Sequence, residues 1–207
     1  MKHYILMADI KDSRKKNSQS LIKKFKELTI DINNKNKKKL LSPLTITLGD
    51  EFQCIASNLD TGIKLIIDLE ESIIKENCGF KLRYVLHYGE IDTIINKKTA
   101  YEMLGPGLTE AREKLNAVKK SDSRFLIDLQ DNHQNNLLNN SFVVYQNFID
   151  EWKEKDTLLI KAFIDHKDYK EVSSITKLNP SSTWRREKSL KIKQYFAIKN
   201  VILELSN

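Results

Sequence analysis

Two short stretches place carboxylates where they can act together. In MADIKDSR, residues 7–14, Asp9 ends an apolar run and Asp12 follows three residues later. In TLGDEFQ, residues 47–53, Asp50 and Glu51 sit between two apolar runs. Adjacent acids that converge on one edge of a sheet repel one another unless a cation lies between them. Hard oxygen ligands of this kind suit Mg2+ or Mn2+, which also share phosphate oxygens. The expected metal ligands are Asp9, Asp50, Glu51 and Asp12, and the expected chemistry is metal-assisted handling of a nucleotide phosphate. Gly49-Asp50 read alone is also a common hairpin turn, and Asp12-Ser13 read alone is a turn or helix cap.

A second set of residues is cationic. Gly105-Pro106-Gly107 opens a helix carrying Arg112, so Gly105 and Gly107 are either a phosphate cradle at a helix N-terminus or a plain loop. Arg83, on a strand, and Arg112 are the candidate catalytic cations. Arg14 and Lys15 contact phosphate or are ordinary surface charge. Near the C-terminus, Ser181, Ser182, Thr183, Arg185, Arg186 and Lys188 crowd the first turns of one helix. Hydroxyls there bond phosphates and arginines read guanine edges, which makes DNA a partner to expect. His3, His87, His133 and His166 share no zinc-ligand spacing, and His87 reads as a packed or hairpin histidine. Cys54 and Cys78 form no CxxC pair and read as core thiols of a reducing compartment.

The elements that must position these groups follow from periodicity. Tyr4–Ala8 is a short apolar strand. Leu21, Ile22, Phe25, Leu28 and Ile32 recur at helical spacing, and the polar run 33–39 reads as a loop. Leu44–Leu48 and Phe52–Ala56 form a hairpin turning at Gly49-Asp50. Ile63, Ile66, Ile67, Ile73 and Ile74 mark a second helix ending near Cys78-Gly79. Residues 81–88 and 90–95 read as another hairpin, turning at Gly89. A third helix carries Leu108, Ala111, Leu115 and Val118, and 124–129 is a closing strand.

This order predicts an α+β fold, a ferredoxin-like βαββαβ sheet with one appended unit and helices on one face. Three parts are expected: a sheet domain over 1–130, a polar Asn/Gln-rich linker over 131–141, and a helical domain over 142–207. Within the last, 169–177, a turn at Leu178-Asn179-Pro180 and a basic helix from Ser181 follow the helix-turn-helix plan, with Trp184 as core. Asn179 is expected to supply the unusual turn backbone.

The chain of 207 residues has a net charge of +7, unevenly spread. Residues 11–39 hold eleven Lys/Arg against three Asp/Glu, and 177–199 hold seven against one. Such patches suit polyanions or are simply solvated. No apolar run reaches the roughly 18 residues of a membrane span, and Asp9 and Asp12 come too early for a signal peptide. A cytoplasmic protein without a membrane partner is expected.

Four segments resemble class III nucleotide cyclases, in the same order and at similar spacing. MADIKDSR resembles their first-strand DIxx segment. TLGDEF resembles their hairpin and differs by one residue from the GGDEF signature of diguanylate cyclases. LRYVLHYGEI resembles their R-x-G-I-H-x-G strand, and GPGLTEAREKL resembles their G-P-x-V-N-x-A-x-R helix start. The resemblance implies a palm-type sheet, Asp9 and Asp50 as the metal pair, Mg2+ or Mn2+ as cofactor, phosphate contacts at Ile10 and Gly49, and a homodimer. The chain departs from the pattern where Ile46 replaces the base-selecting Lys, Thr109 the ribose-orienting Asn and Glu113 the transition-state Arg. Arg112 lies one step away, about 100° round the helix. The whole chain is similar to the SatD family, with its GDIxxSR, TLGDEFQ and GPAxxxARE segments. The function expected is a regulator with a cyclase-like metal- and nucleotide-binding domain coupled to a DNA-binding helix-turn-helix. The alternative is an active nucleotidyl cyclase or nucleotidyltransferase.

Overall fold

A computed structural model describes residues 1–13 and 18–207. The sheet is built from β1 (Lys2–Ile10), β2 (Leu40–Ile46), β3 (Glu51–Ala56), β4 (Leu82–Glu90) and β5 (Phe125–Asp128). Its order is β2-β3-β1-β4-β5. The first four strands are antiparallel neighbours, as the split βαβ plan requires, and β5 adds in parallel to β4. Pro43 sits in edge strand β2 within the register shift between Ser42 and Thr45, where a missing N–H costs little.

Strand alternation divides the sheet into two faces. Leu6, Ala8, Ile10, Phe52, Cys54, Leu82, Tyr84 and Leu86 join one core with α1 (Ser18–Asn36) and α2 (Leu59–Lys75). Ile5, Met7, Ile55 and Val85 face the other way and form a second, smaller core with Ala111, Leu115 and Val118 of α3 (Pro106–Val118). Helices therefore cover both faces, against the expectation of one. The same alternation puts Asp9, Glu51, Arg83 and His87 on the α3 face, in line with Ile5, Met7, Ile55 and Val85.

The remaining elements are α4 (Asn132–Glu151), a 3-10 turn (Glu154–Asp156), α5 (Thr157–His166), α6 (Tyr169–Thr176), α7 (Pro180–Ser189) and α8 (Ile192–Glu204). Residues 132–141, expected as linker, form the first half of α4. Asp131 caps that helix by accepting from the amides of His133 and Gln134. Asn135 and Asn139 then use their side chains to bond the backbone of Leu129 and Ile127. The Asn-rich composition thus serves a helix that continues the edge of the sheet. Phe142, Tyr145, Phe163, Tyr195 and Ile202 belong to the same core as α1 and α2.

Two further expectations change. The polar run 33–39 is helical through Asn36, whose side chain bonds Ile32. β4 runs straight through Gly89, and no strand follows it at 91–95. Gly89 instead permits a close approach: a Cβ there would lie 2.6 Å from the Gly107 Cα of α3.

Candidate functional site

The end of β1 and the 47–50 turn meet as the motif order predicts. Ile10 N–H donates to the Asp50 carbonyl at 2.9 Å, and Asp9 pairs with Glu51 in the strand register. Gly49 makes the turn with φ near +70°, a conformation that favours glycine. Asp9, Ile10, Gly49, Asp50 and Glu51 therefore share one edge of the sheet.

Two of the carboxylates there, Asp9 and Glu51, are already matched with cations from this chain. Arg83 grips Asp9 with two hydrogen bonds, Nε to Oδ1 at 2.9 Å and Nη2 to Oδ2 at 3.1 Å. Lys119, just past α3, lies 3.4 Å from Asp9 Oδ2. Arg112 Nη1 donates to both oxygens of Glu51, at 2.5 and 3.2 Å. Arg112 thus reaches the edge despite its offset round the helix. Asp50 Oδ2 accepts from the Ser13 hydroxyl at 2.6 Å. Asp9 is only 3% exposed. Burial lifts its carboxyl above the ordinary value, while Arg83 and Lys119 pull it back down.

This arrangement does not fit a preformed Mg2+ or Mn2+ centre. The oxygens of Asp9 and Glu51 already carry guanidinium donors, and Asp50 is turned to Ser13. Among the described residues no three His, Cys, Asp or Glu side chains converge to hold a metal. Asp12 adopts φ near +57° in the turn after β1 and lines a different cleft. Arg14 and Lys15 lie outside the described residues.

The glycines of the α3 start are at the wrong end for a phosphate held by Asp9 and Asp50. Gly105 and Gly107 pack on residues 89–92, where a Cβ on either would lie 2.5–2.9 Å from backbone atoms. Register pairs His3 with Gly89 but Asp9 with Arg83. Six strand residues, about 20 Å, therefore separate the glycines from the carboxylates. Close helix–strand packing explains the glycines.

Sequence reasoning reads His87 as a packed or hairpin histidine without its acid partners, and does not single out Lys119 or Arg124. His87 is buried between two acids, with Nδ1 2.6 Å from Asp128 and Nε2 2.9 Å from Glu110. Its period-2 relation to Arg83 was the available signal. Lys119 was unremarked. Arg124, only 2% exposed, binds Glu70 and Asp150 behind the sheet.

In the C-terminal helices, α7 follows α6 after a short turn, but the residues expected to read DNA divide. Thr183 is fully buried and its hydroxyl bonds the Asn179 carbonyl. Arg186 pairs with Asp156 at 2.5 Å. Ser181, Ser182, Arg185 and Lys188 are exposed. Trp184, expected as core, is 40% exposed, with Lys188 Nζ 3.7 Å from its ring centre. The left-handed turn residue is Lys177, while Asn179 is extended and caps α7 by accepting from Ser181 N–H. No described helix is long and apolar enough to cross a membrane.

The fold and this edge define an α+β protein whose split βαβ sheet gathers three acids, two of them paired with cations of the same chain, at one end of its central strands. The chain belongs to the SatD family, whose model matches residues 4–206. No curated protein matches it. Among solved structures, a bacterial light-regulated adenylyl cyclase aligns at 13% identity and a TM-score of 0.47, over 61% of this chain and 74% of its own. The guanylyl cyclase Cya2 aligns at 12% and 0.40, over 56% and 70%. The catalytic core of a rhodopsin-guanylyl cyclase in complex with ATPalphaS aligns at 11% and 0.35, over 56% and 73%.

Proposed function

We propose that this SatD-family protein is a nucleotide-binding regulator whose cyclase-like site binds without turning over. The observation that carries this reading is the double neutralisation at the sheet edge, Arg83 on Asp9 and Arg112 on Glu51. A nucleotide phosphate competes with Glu51 for Arg112, whose side chain is one-third exposed and offers a fork suited to phosphate. Turnover needs cations aimed at developing charge. Loss of one such donor typically costs about 10²–10³-fold in rate. Glu113 and Thr109 stand where the resembled pattern needs Arg and Asn.

The test combines binding with product detection. The full chain is incubated with mixed ribonucleoside triphosphates, with Mg2+, with Mn2+ and without either. Products are read by mass spectrometry, and the thermal midpoint is read in parallel. The expected result is a raised midpoint with a triphosphate, abolished by Arg112→Ala, and no new product. A product that appears with the intact protein and vanishes in Asp9→Ala/Asp50→Ala makes the protein a nucleotidyl cyclase or nucleotidyltransferase instead.

A second reading, DNA contact through α7, is favoured by its exposed Arg185 and Lys188 beside Ser181 and Ser182. Phosphate contacts of this kind make affinity fall with salt. Replacing Arg185 and Lys188 by alanine is expected to reduce the salt slope by about two. An unchanged affinity and slope sinks this reading.

A further inference from the structure

Behind the sheet edge, on the opposite face, lies a cleft of about 460 Å³. Its walls come from separate parts of the chain: the end of α2, the 79–81 segment, the end of α4, the start of α5 and the turn after β1. The volume falls in the range of small-molecule sites, about 300–1,000 Å³. Its apolar surface is contributed by Ile73, Ile74, Phe80, Ile149, Trp152 and Ile160.

The polar groups are arranged in two tiers. Deep in the wall, Arg124 spends its donors on Glu70, Asp150 and the Leu82 carbonyl. Lys81 adds a second cation to Asp150 at 2.9 Å. This tier is internally neutralised and offers a ligand no open charge. At the rim stand the exposed Lys11 and Lys153. The rim acids are Asp12 and Glu154, and Glu154 already accepts from the Asn77 amide at 2.9 Å. A ligand here meets an apolar slot whose mouth carries the exposed amines of Lys11 and Lys153 beside the acids Asp12 and Glu154.

We propose that this cleft is a binding site for a small organic anion with a flat apolar body, the body lying against Phe80 and Trp152 and the anionic group at Lys11 and Lys153. The site is distinct from the Asp9 edge but touches the same connection. Lys11 N–H donates to the Lys81 carbonyl at 2.8 Å, one residue beyond Ile10. Trp152 Nε1–H donates to the Leu190 carbonyl at the end of α7 at 2.9 Å. The walls of the cleft therefore adjoin both the proposed nucleotide edge and the end of the basic helix.

The probe is 1-anilinonaphthalene-8-sulfonate, titrated into the full chain carrying Trp184→Phe, so that Trp152 is the sole indole. The expected result is saturable one-site binding that quenches Trp152. Neutral 1-anilinonaphthalene, which has the same body without the sulfonate, is expected to bind about tenfold or more weakly, as a charge-assisted contact requires. Ile74→Phe, which crowds the slot without adding an indole, is expected to abolish binding. Circular dichroism of that variant checks that it folds, and the neutral analogue tests the anion requirement with no slot variant at all. Equal binding of the two probes, multi-site binding without Trp152 quenching, or full binding by a folded Ile74→Phe overturns the proposal.

Discussion

Leu82 and Arg83, successive residues of β4, serve two arginine–carboxylate clusters on opposite faces of the sheet. On one face Arg124 holds the Leu82 carbonyl together with Glu70 and Asp150. On the other, Arg83 holds Asp9 beside Lys119, and Arg112 holds Glu51. The chemical ingredients are the same, but the degree of closure differs. Arg124 is 2% exposed and its guanidinium donors are all spent on three elements, so the cluster works as a rivet. Arg112 is one-third exposed and its one ion pair among the described residues is with Glu51, so solvent reaches it. Residue type alone does not separate a closed ion cluster from an open one; saturation and access do.

The largest effect should come from breaking the rivet. Arg124→Met leaves Glu70 buried without its cation, and removal of one partner from a buried pair typically costs about 3–5 kcal/mol. Chemical denaturation of the full chain measures this. A loss below about 1 kcal/mol would mean that the cluster is not the closed unit described. Asp150 sharpens the point through pH. Burial opposes its charge, but Arg124 and Lys81 hold its carboxyl below the ordinary value of 3.8. Its stabilisation is present above that value and is lost as pH falls through the lower folded value. Asp150→Asn should therefore be less stable near neutrality, with the gap to the native chain closing in acid below about pH 4. A gap that holds constant from pH 7 to pH 2 would contradict the assignment.

At the open cluster the expected cost is smaller. Arg112→Gln strips Glu51, which is 5% exposed, of its charged partner while keeping an amide donor on the same face. A loss of about 1–2 kcal/mol is expected, in the range for leaving a buried acceptor underpaired. A loss as large as that of Arg124→Met would erase the distinction between the two faces.

The sheet was legible because its strands carry period-2 and apolar signals and its turns carry Gly-Asp. The meeting of Asp9 with Asp50 and Glu51 followed from strand order alone. What stayed hidden was long-range pairing. Nothing local announces that Arg83 will meet Asp9, or that Arg124 will meet Glu70 and Asp150, because each pair is made by packing of distant elements. The 131–141 stretch was misread for a related reason. Asn135 and Asn139 look like loop residues, yet their amides satisfy the free edge of β5, and tertiary context overrode weak helix propensity. In the sequence Gly89 looks like a turn and Gly107 like a loop or a phosphate cradle, while only the three-dimensional contact shows how closely the two pack.

The basic helix α7 repeats the contrast on the scale of one turn, and here the smallest effects decide. Arg185 and Arg186 are indistinguishable in the sequence SSTWRREK. In the fold Arg186 reaches back to Asp156 at 2.5 Å, beside the start of α5, while Arg185 is exposed and forms no ion pair with a described residue. A partly exposed pair of this kind is worth up to about 1 kcal/mol, and an unpaired surface residue within about 0.5 kcal/mol of nothing. Arg186→Ala should therefore lower stability slightly while Arg185→Ala leaves it unchanged. In DNA binding the order should reverse, with Arg185→Ala the more damaging, because Arg186 must first leave Asp156 before it can reach a phosphate. If both arginines weaken DNA binding equally and neither affects stability, the Asp156 tie is not holding Arg186, and the whole basic face of α7 is available to a partner.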